Sequence, residues 1–251
     1  MNSDERFSTP LGAPLVPLFP INFRDTQILT IVYQTHQSAV EAILPRPLVP
    51  GSDTVIVHFY RMNDPDWFGP HHEFAVQVDA ALPDRNVRGA YSPFIMVTTE
   101  GGLATGREIY GQPKKLGNPS IEIHGDLIVG RASRNGIDVA VGTMPYKQAK
   151  AEMSEITSYF PFTNNINYKF IPQITGEPAV RQLTSRRFED VRVHECWKGA
   201  GTIEIRLNAQ FPLYRLPVRR FLEGYYWRAD LTLPFGTVIY DYLEEEGAEA
   251  K

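Results

Sequence analysis

A chain of 251 residues that is 43% hydrophobic and 22% charged can bury the core of one large globular domain. No linker-like stretch divides it, so residues 1–251 read as a single domain. A formal charge of −4, a pI near 5.9 and no basic run leave no footprint for nucleic acid or a membrane surface, so small molecules or copies of itself are the expected partners.

Four prolines, Pro10, Pro14, Pro17 and Pro20, keep the first 22 residues from forming one helix or a central strand. This arm is expected to wrap over the domain or a neighbouring subunit. Gln27–Tyr33 is β-branched and aromatic and reads as a buried strand. His36–Leu44 carries apolar Ala39, Val40, Ile43 and Leu44 and stops before Pro45, the pattern of a short helix. Strands are expected at 54–62, 73–81 and 90–99, separated by turn-rich residues 63–70 and 83–89.

From Glu100 the apolar spacing becomes helical and runs to a stop at Pro113. Hairpin-like strands follow at 120–124, 126–132 and 137–144, with Gly125 and Asn135-Gly136 as turns. Residues 146–159 are mixed and polar and fit a helix. Further strands are expected at 167–171, 179–184, 188–196, 201–206, 222–233 and 237–243, before a frayed acidic tail. Many strands with few helices imply an antiparallel sheet that curls into a barrel or sandwich, because closure or stacking removes open edges.

Most motif searches exclude chemistry. Adjacent His71 and His72 point to opposite faces of a strand and lack a ligand-spaced companion, so no metal site is expected. Gly101, Gly102 and Gly106 do not make a dinucleotide fingerprint, and neither a Walker motif nor Gly-x-Ser-x-Gly occurs. Cys196 stands alone, which excludes an internal disulfide and suits a reducing compartment; beside Trp197 it reads as a small buried residue. The polar N-terminus and the lack of an 18-residue apolar run lead us to expect a soluble, cytoplasmic protein.

Lys114 and Lys115 are different. They are adjacent in a chain with only seven lysines, preceded by Pro113 and bounded by Gly106, Gly111 and Gly117. Adjacent lysines ordinarily form a solvated corner. Yet a neutral lysine can form a Schiff base with a ketone and needs no cofactor. A free lysine, with a pKa of about 10.4, is neutral only a few times in ten thousand at pH 7, so burial or a second cation has to shift it.

Arg107-Glu108 followed by Pro113-Lys114-Lys115-Leu116-Gly117 resembles the signature of the acetoacetate decarboxylase family. The likeness continues through Ser8-Thr9-Pro10, Ile31-Val32-Tyr33, Val193-His194-Glu195 with Trp197, Leu216-Pro217-Val218, Ala229-Asp230 and Val238 to Leu243. Acetoacetate decarboxylase is itself the familiar example of a lysine activated by a neighbouring cation. The resemblance implies a mainly β (α+β) fold, an antiparallel β-cone or barrel with a few short helices, in a homo-oligomer. It also implies that Lys114 forms the imine and Lys115 is its electrostatic neighbour.

Departures from the family pattern shape the expected reaction. Thr26 and His58 stand where the family decarboxylases carry an arginine and a glutamate; Glu73 matches a second glutamate; Gln112 replaces an aromatic; and Glu223 adds a carboxyl group. These changes imply a relative that hydrates 2-oxo acids or joins pyruvate to an aldehyde and dehydrates the product. In that scheme Glu223 and then Glu73 shuttle protons, and Arg107, Gln112 and His58 contact the substrate, with Arg107 and Gln112 holding its carboxylate. The runner-up is acetoacetate decarboxylase chemistry on a 3-oxo acid, and the third reading is a non-catalytic β-barrel that binds a small ligand.

Overall fold

Long β-branched and aromatic runs form the longest strands, because such side chains pack well on a pleated surface. Strands β1 (Ile21–Gln34), β2 (Val49–Pro65), β3 (His71–Leu82) and β4 (Val87–Val97) lie side by side and antiparallel in a computed structural model. Residues 8–10, 12–16 and 18–249 are described, so Pro17 and residues 250–251 of the expected tail lie outside the described residues. Helix α1 (Gln37–Ile43) links β1 to β2, and α2 (Glu100–Ala104) runs into a π-helical turn, Thr105–Tyr110, that ends at Gly111 with φ 75°.

A short β5 (Lys114–Leu116) then leads to β6 (Asn118–His124), β7 (Leu127–Arg134) and β8 (Ile137–Pro145). After β9 (Ala149–Lys150) and α3 (Met153–Thr157) come β10 (Asn164–Pro172), β11 (Pro178–Arg187), β12 (Glu189–Gly199) and β13 (Thr202–Ile205). Strands β14 (Arg220–Leu233) and β15 (Thr237–Asp241) and helix α4 (Tyr242–Glu249) close the chain. The helix expected over 146–159 shrinks to α3. Lys150 is taken by strand pairing with Trp197, and a capping box between Glu152 and Glu155 starts the helix late. The expected frayed end is helical through Glu249.

Eleven strands form one sheet in the order β15-β11-β10-β4-β3-β2-β1-β14-β12-β9, with β5 added beside β4; β13-β8-β7-β6 form a second. The mainly β architecture with few short helices is found, but the expected closed barrel is not. The outer strands β15 and β9 do not pair with each other, and β9 has only two residues with which to do so. Register shifts at Phe23/Thr26 and Val32/Tyr33 of β1 and at Val76/Val78 of β3 bend the large sheet instead.

The two faces of that curled sheet have different fates. On one, Leu29, Ile31, Val57, Phe59, Phe74 and Val76 pack against the smaller sheet. Phe59 reaches so close that a Cβ on Gly130 or Gly142 would come within 2.5 or 2.7 Å of its ring, so both crossings require glycine. The other face is concave and gathers Ile28, Tyr60, Ala75, Ile95, Tyr225 and Trp227 under Ile156, Phe160 and Phe162 from the α3 region. Buried polar groups concentrate on this second face.

Candidate active site

Lys114 reaches the concave face through a tight backbone turn. Gln112 N–H donates to Gly106 O and Lys114 N–H to Gln112 O, both at 2.8 Å, which carries the chain from the π-helical turn into β5. That strand runs parallel to β4 with Lys114 opposite Ile95. Successive side chains of a strand point to opposite faces, so Lys114 turns inward and Lys115 outward. Lys114 is 7% exposed, and its Nζ donates a short hydrogen bond to Glu73 Oε1. A Cβ on Gly106 would lie 2.5 and 2.7 Å from Lys114 Cδ and Cε, so glycine there lets the lysine stem pass. The same Cβ would meet Gln112 Oε1 at 2.9 Å, which locates the Gln112 amide beside that stem.

Glu73 is presented by β3, opposite Tyr60 on β2 and Val97 on β4. Burial pushes its carboxyl up, but the Lys114 ammonium, followed by His71, outweighs burial and holds it at about 2. His71 is itself buried, with Nδ1 3.0 Å from Gly69 O and Nε2 3.8 Å from Glu73 Oε1. Glu73 is therefore an ionised acceptor at any pH where the protein works, placed against the one inward lysine of the pair.

His58 shares a row with the lysine: Thr30, His58, Ala75, Ile95 and Lys114 pair in succession across β1 to β5. Both of its ring nitrogens are engaged by the protein, Nδ1 by Thr30 Oγ1 at 2.9 Å and Nε2 by Gln77 Oε1 at 3.2 Å. The chain continues on both sides. Trp227 Nε1 donates to Thr30 Oγ1, and Gln77 Nε2 donates to Asn165 Oδ1, which also accepts from Arg186 Nη2 at 3.1 Å. A ring so occupied is a wall element that holds its neighbours.

Burial lowers the His58 pKa to about 3, against the opposing hydrogen bond that Nε2 donates to Gln77 Oε1. The unfolded chain takes up a proton near pH 6.5 that the folded chain refuses, so this group makes folding less favourable as pH falls from about 6.5 toward 3. His58→Gln is expected to flatten the acid limb of stability by up to about 1.4 kcal/mol per pH unit in that window. Urea titrations of both proteins at pH 7, 6 and 5 measure the difference in slope; parallel slopes would refute a neutral, buried His58.

The remaining expected site residues are not brought together with Lys114. Lys115 is half-buried on the far side of β5, where Nζ donates to Gln210 O at 2.5 Å and Gln210 Oε1 at 3.1 Å. Burial, then Arg134 and Arg107, lower its pKa, so its cationic neighbours are these arginines. Arg107 is exposed, reaches Lys114 only at the backbone oxygen at 3.4 Å, and lines an outer groove with Glu108 and Phe170. Glu223 sits on β14 opposite Val32, separated from β5 by β1, β2, β3 and β4, and the groups that feel its charge are Lys198 and Tyr225.

One inward residue escaped the sequence reading. Arg186 on β11 is 8% exposed and lies within electrostatic reach of Glu73, Tyr60 and Tyr110. Its only sequence signal is strand phase, two residues after the buried Thr184. Arginine is usually exposed, so phase alone does not single it out. Among the described residues no group of three or more His, Cys, Asp or Glu side chains is placed to hold a metal ion, and no helix is long and apolar enough to cross a membrane.

A buried lysine against a buried carboxylate on a concave sheet can be compared with known proteins. The family model described as acetoacetate decarboxylase (ADC) matches residues 8–243. The chain belongs to the acetoacetate decarboxylase family. It is 34% identical to the acetoacetate decarboxylase of Chromobacterium violaceum over 239 residues, covering 95% of this chain and 96% of that one. The Clostridium botulinum enzyme of the same name is 32% identical over 243 residues, covering 96% and 97%. Among solved structures, an acetoacetate decarboxylase superposes with a TM-score of 0.89 at 32% identity over 97% of this chain and all of that one.

The comparisons correct the expected reaction. The enduracididine biosynthesis enzyme MppR, solved with a condensation product of pyruvate and imidazole 4-carboxaldehyde, superposes with a TM-score of 0.78 but is 16% identical, over 94% of this chain and 97% of that one. That likeness shows the fold alone. Curated relatives at 31–34% identity over nearly the whole chain are acetoacetate decarboxylases, so the hydratase or aldolase reading falls and the lyase class of the family stands. The substitutions at 26, 58, 112 and 223 misled because each was weighed as a change of reaction, whereas His58 is tied into the wall by Thr30 and Gln77.

Proposed function

We propose that this protein is a Schiff-base-forming decarboxylase that releases carbon dioxide from a 3-oxo acid of the acetoacetate kind. The observation that carries the reading is Lys114 Nζ held by ionised Glu73 on the buried concave face. The relatives named above supply the choice of reaction.

The chemistry follows from those two side chains. The Lys114 ammonium gives a proton to water, the freed amine adds to the C3 carbonyl carbon, and one proton is taken back as water leaves, so that an iminium ion forms beside a Glu73 that stays ionised. The bond from C2 to the carboxylate then breaks, its electron pair moves toward the iminium nitrogen, and carbon dioxide leaves. The resulting enamine takes a proton at C2, and water hydrolyses the acetone iminium to free the lysine. One solvent proton is consumed per carbon dioxide released. Ionised Glu73 stabilises the iminium charge in a site of low dielectric, and Gln112 and Gly106 hold the lysine stem in line.

Two measurements test this reading. The protein should release carbon dioxide from acetoacetate, and borohydride added during turnover should leave an N-isopropyl group on Lys114, located by peptide mass spectrometry. A chain that forms the adduct but releases no carbon dioxide is a binding protein, and one that forms no adduct has no Schiff-base chemistry.

A further inference from the structure

The concave face holds a cation whose hydrogen-bonding capacity the chain leaves partly unused. Arg186 Nη2 donates to Asn165 Oδ1, but Nε and Nη1 are buried with no hydrogen-bond partner among the described residues. The rings of Phe188 and Tyr110 lie 4.1 and 5.6 Å from the guanidinium carbon and fix its plane without accepting these N–H groups. The carboxylate that feels its charge is Glu73, whose Oε1 already receives Lys114. Unpaired donors on a buried charge are costly, and they are tolerated where they serve an anion.

Charge in the site points the same way. With the imine formed, Lys114 carries +1, Glu73 −1 and Arg186 +1, a sum of +1 for these three groups. A neutral ketone leaves that charge unbalanced, whereas the single carboxylate of a 3-oxo acid brings it to zero. We propose that Arg186 receives the substrate's carboxylate on one of these unpaired N–H groups and so selects a 3-oxo acid over a neutral ketone. This rests on Lys114 forming the Schiff base.

The role is one of binding and selection. Carboxylate charge is present in the bound acid and vanishes as carbon dioxide leaves, so contact with Arg186 favours the ground state at least as much as the transition state. Its loss therefore appears in KM more than in kcat. Once carbon dioxide has gone, the guanidinium is unpaired again and the acetone imine is left with an unbalanced charge, which favours product release. The chain Asn165, Gln77, His58, Thr30 and Trp227 anchors the arginine from behind.

Steady-state kinetics with acetoacetate and borohydride trapping with acetone on Arg186→Met and Arg186→Lys test the proposal. Arg186→Met is expected to raise the KM for acetoacetate about tenfold to a hundredfold, with kcat changed much less and the acetone concentration for half-maximal trapping at Lys114 unchanged or lower. Arg186→Lys, which keeps the charge, should recover part of the lost affinity. An unchanged KM in Arg186→Met, or equal weakening toward acid and ketone, overturns the carboxylate role. Should Arg186→Met fail to fold, Arg186→Gln carries the same comparison. No Lys114 adduct with either substrate in the unmodified protein removes the Schiff-base reading and this proposal with it.

Discussion

Lys114→Ala is expected to lower kcat/KM for acetoacetate by about 10⁴-fold or more and to abolish borohydride trapping at this segment. Covalent catalysis through the imine supplies the electron sink for the breaking carbon–carbon bond, and no other described lysine replaces it. Lys115 is directed to Gln210 across the strand, and its stem cannot reach the concave face without reversing the side-chain alternation of β5. Lys115→Ala is accordingly expected to cost about tenfold or less, acting only through the field it shares with Arg134 and Arg107. The pair of variants separates nucleophile from neighbour. Equal losses in both, or an adduct that persists in Lys114→Ala, would defeat the assignment. Circular dichroism and thermal melts establish that each variant folds.

Glu73→Gln has the second largest expected effect and acts on both stability and rate. Its amide keeps the shape of the carboxylate but removes the counter-charge of a lysine that is 7% exposed. Breaking one side of a buried ion pair costs about 3–5 kcal/mol, because the remaining charge stays desolvated. The carboxyl group titrates at about 2 in the folded protein and near 4.5 ordinarily, so its contribution is present above about pH 4.5 and lost as pH falls through 2. That difference corresponds to about 3 kcal/mol. The Gln variant should therefore unfold more readily at pH 7 and lack this part of the acid limb. Loss of the iminium's counter-ion should lower kcat by about 10² to 10³-fold. A variant with normal stability at pH 7 and near-normal kcat would show that the Lys114–Glu73 contact is incidental.

The local pattern of the chain specified much of what is seen. Alternation and β-branching located β3 and β4 closely and the middles of β1 and β2, and Asn135-Gly136 marked the β7–β8 turn, because these signals depend on neighbours along the chain. The stop at Pro113 and the family-like Pro-Lys-Lys segment singled out Lys114, and strand alternation alone separates it from Lys115. Closure of the sheet was not legible. It depended on whether β15 and β9 met, a property of accumulated twist and bulges rather than of either strand's composition.

The site divides along the same line. Sequence by itself determined the mainly β class and the strand that carries Lys114, since each follows from local phase and a family-like motif. Only the tertiary structure decided which charged groups share the concave face. Glu223 and Arg107 are as polar as Glu73 and Arg186, yet strand order sets four strands between Glu223 and β5, on the face of Tyr225 and Trp227, and leaves Arg107 in an outer groove. The register of β11 against β10 turns Arg186 inward beside Asn165. Burial and pairing are set by contacts between strands far apart in the chain, and periodicity along one strand carries no record of what lies across from it.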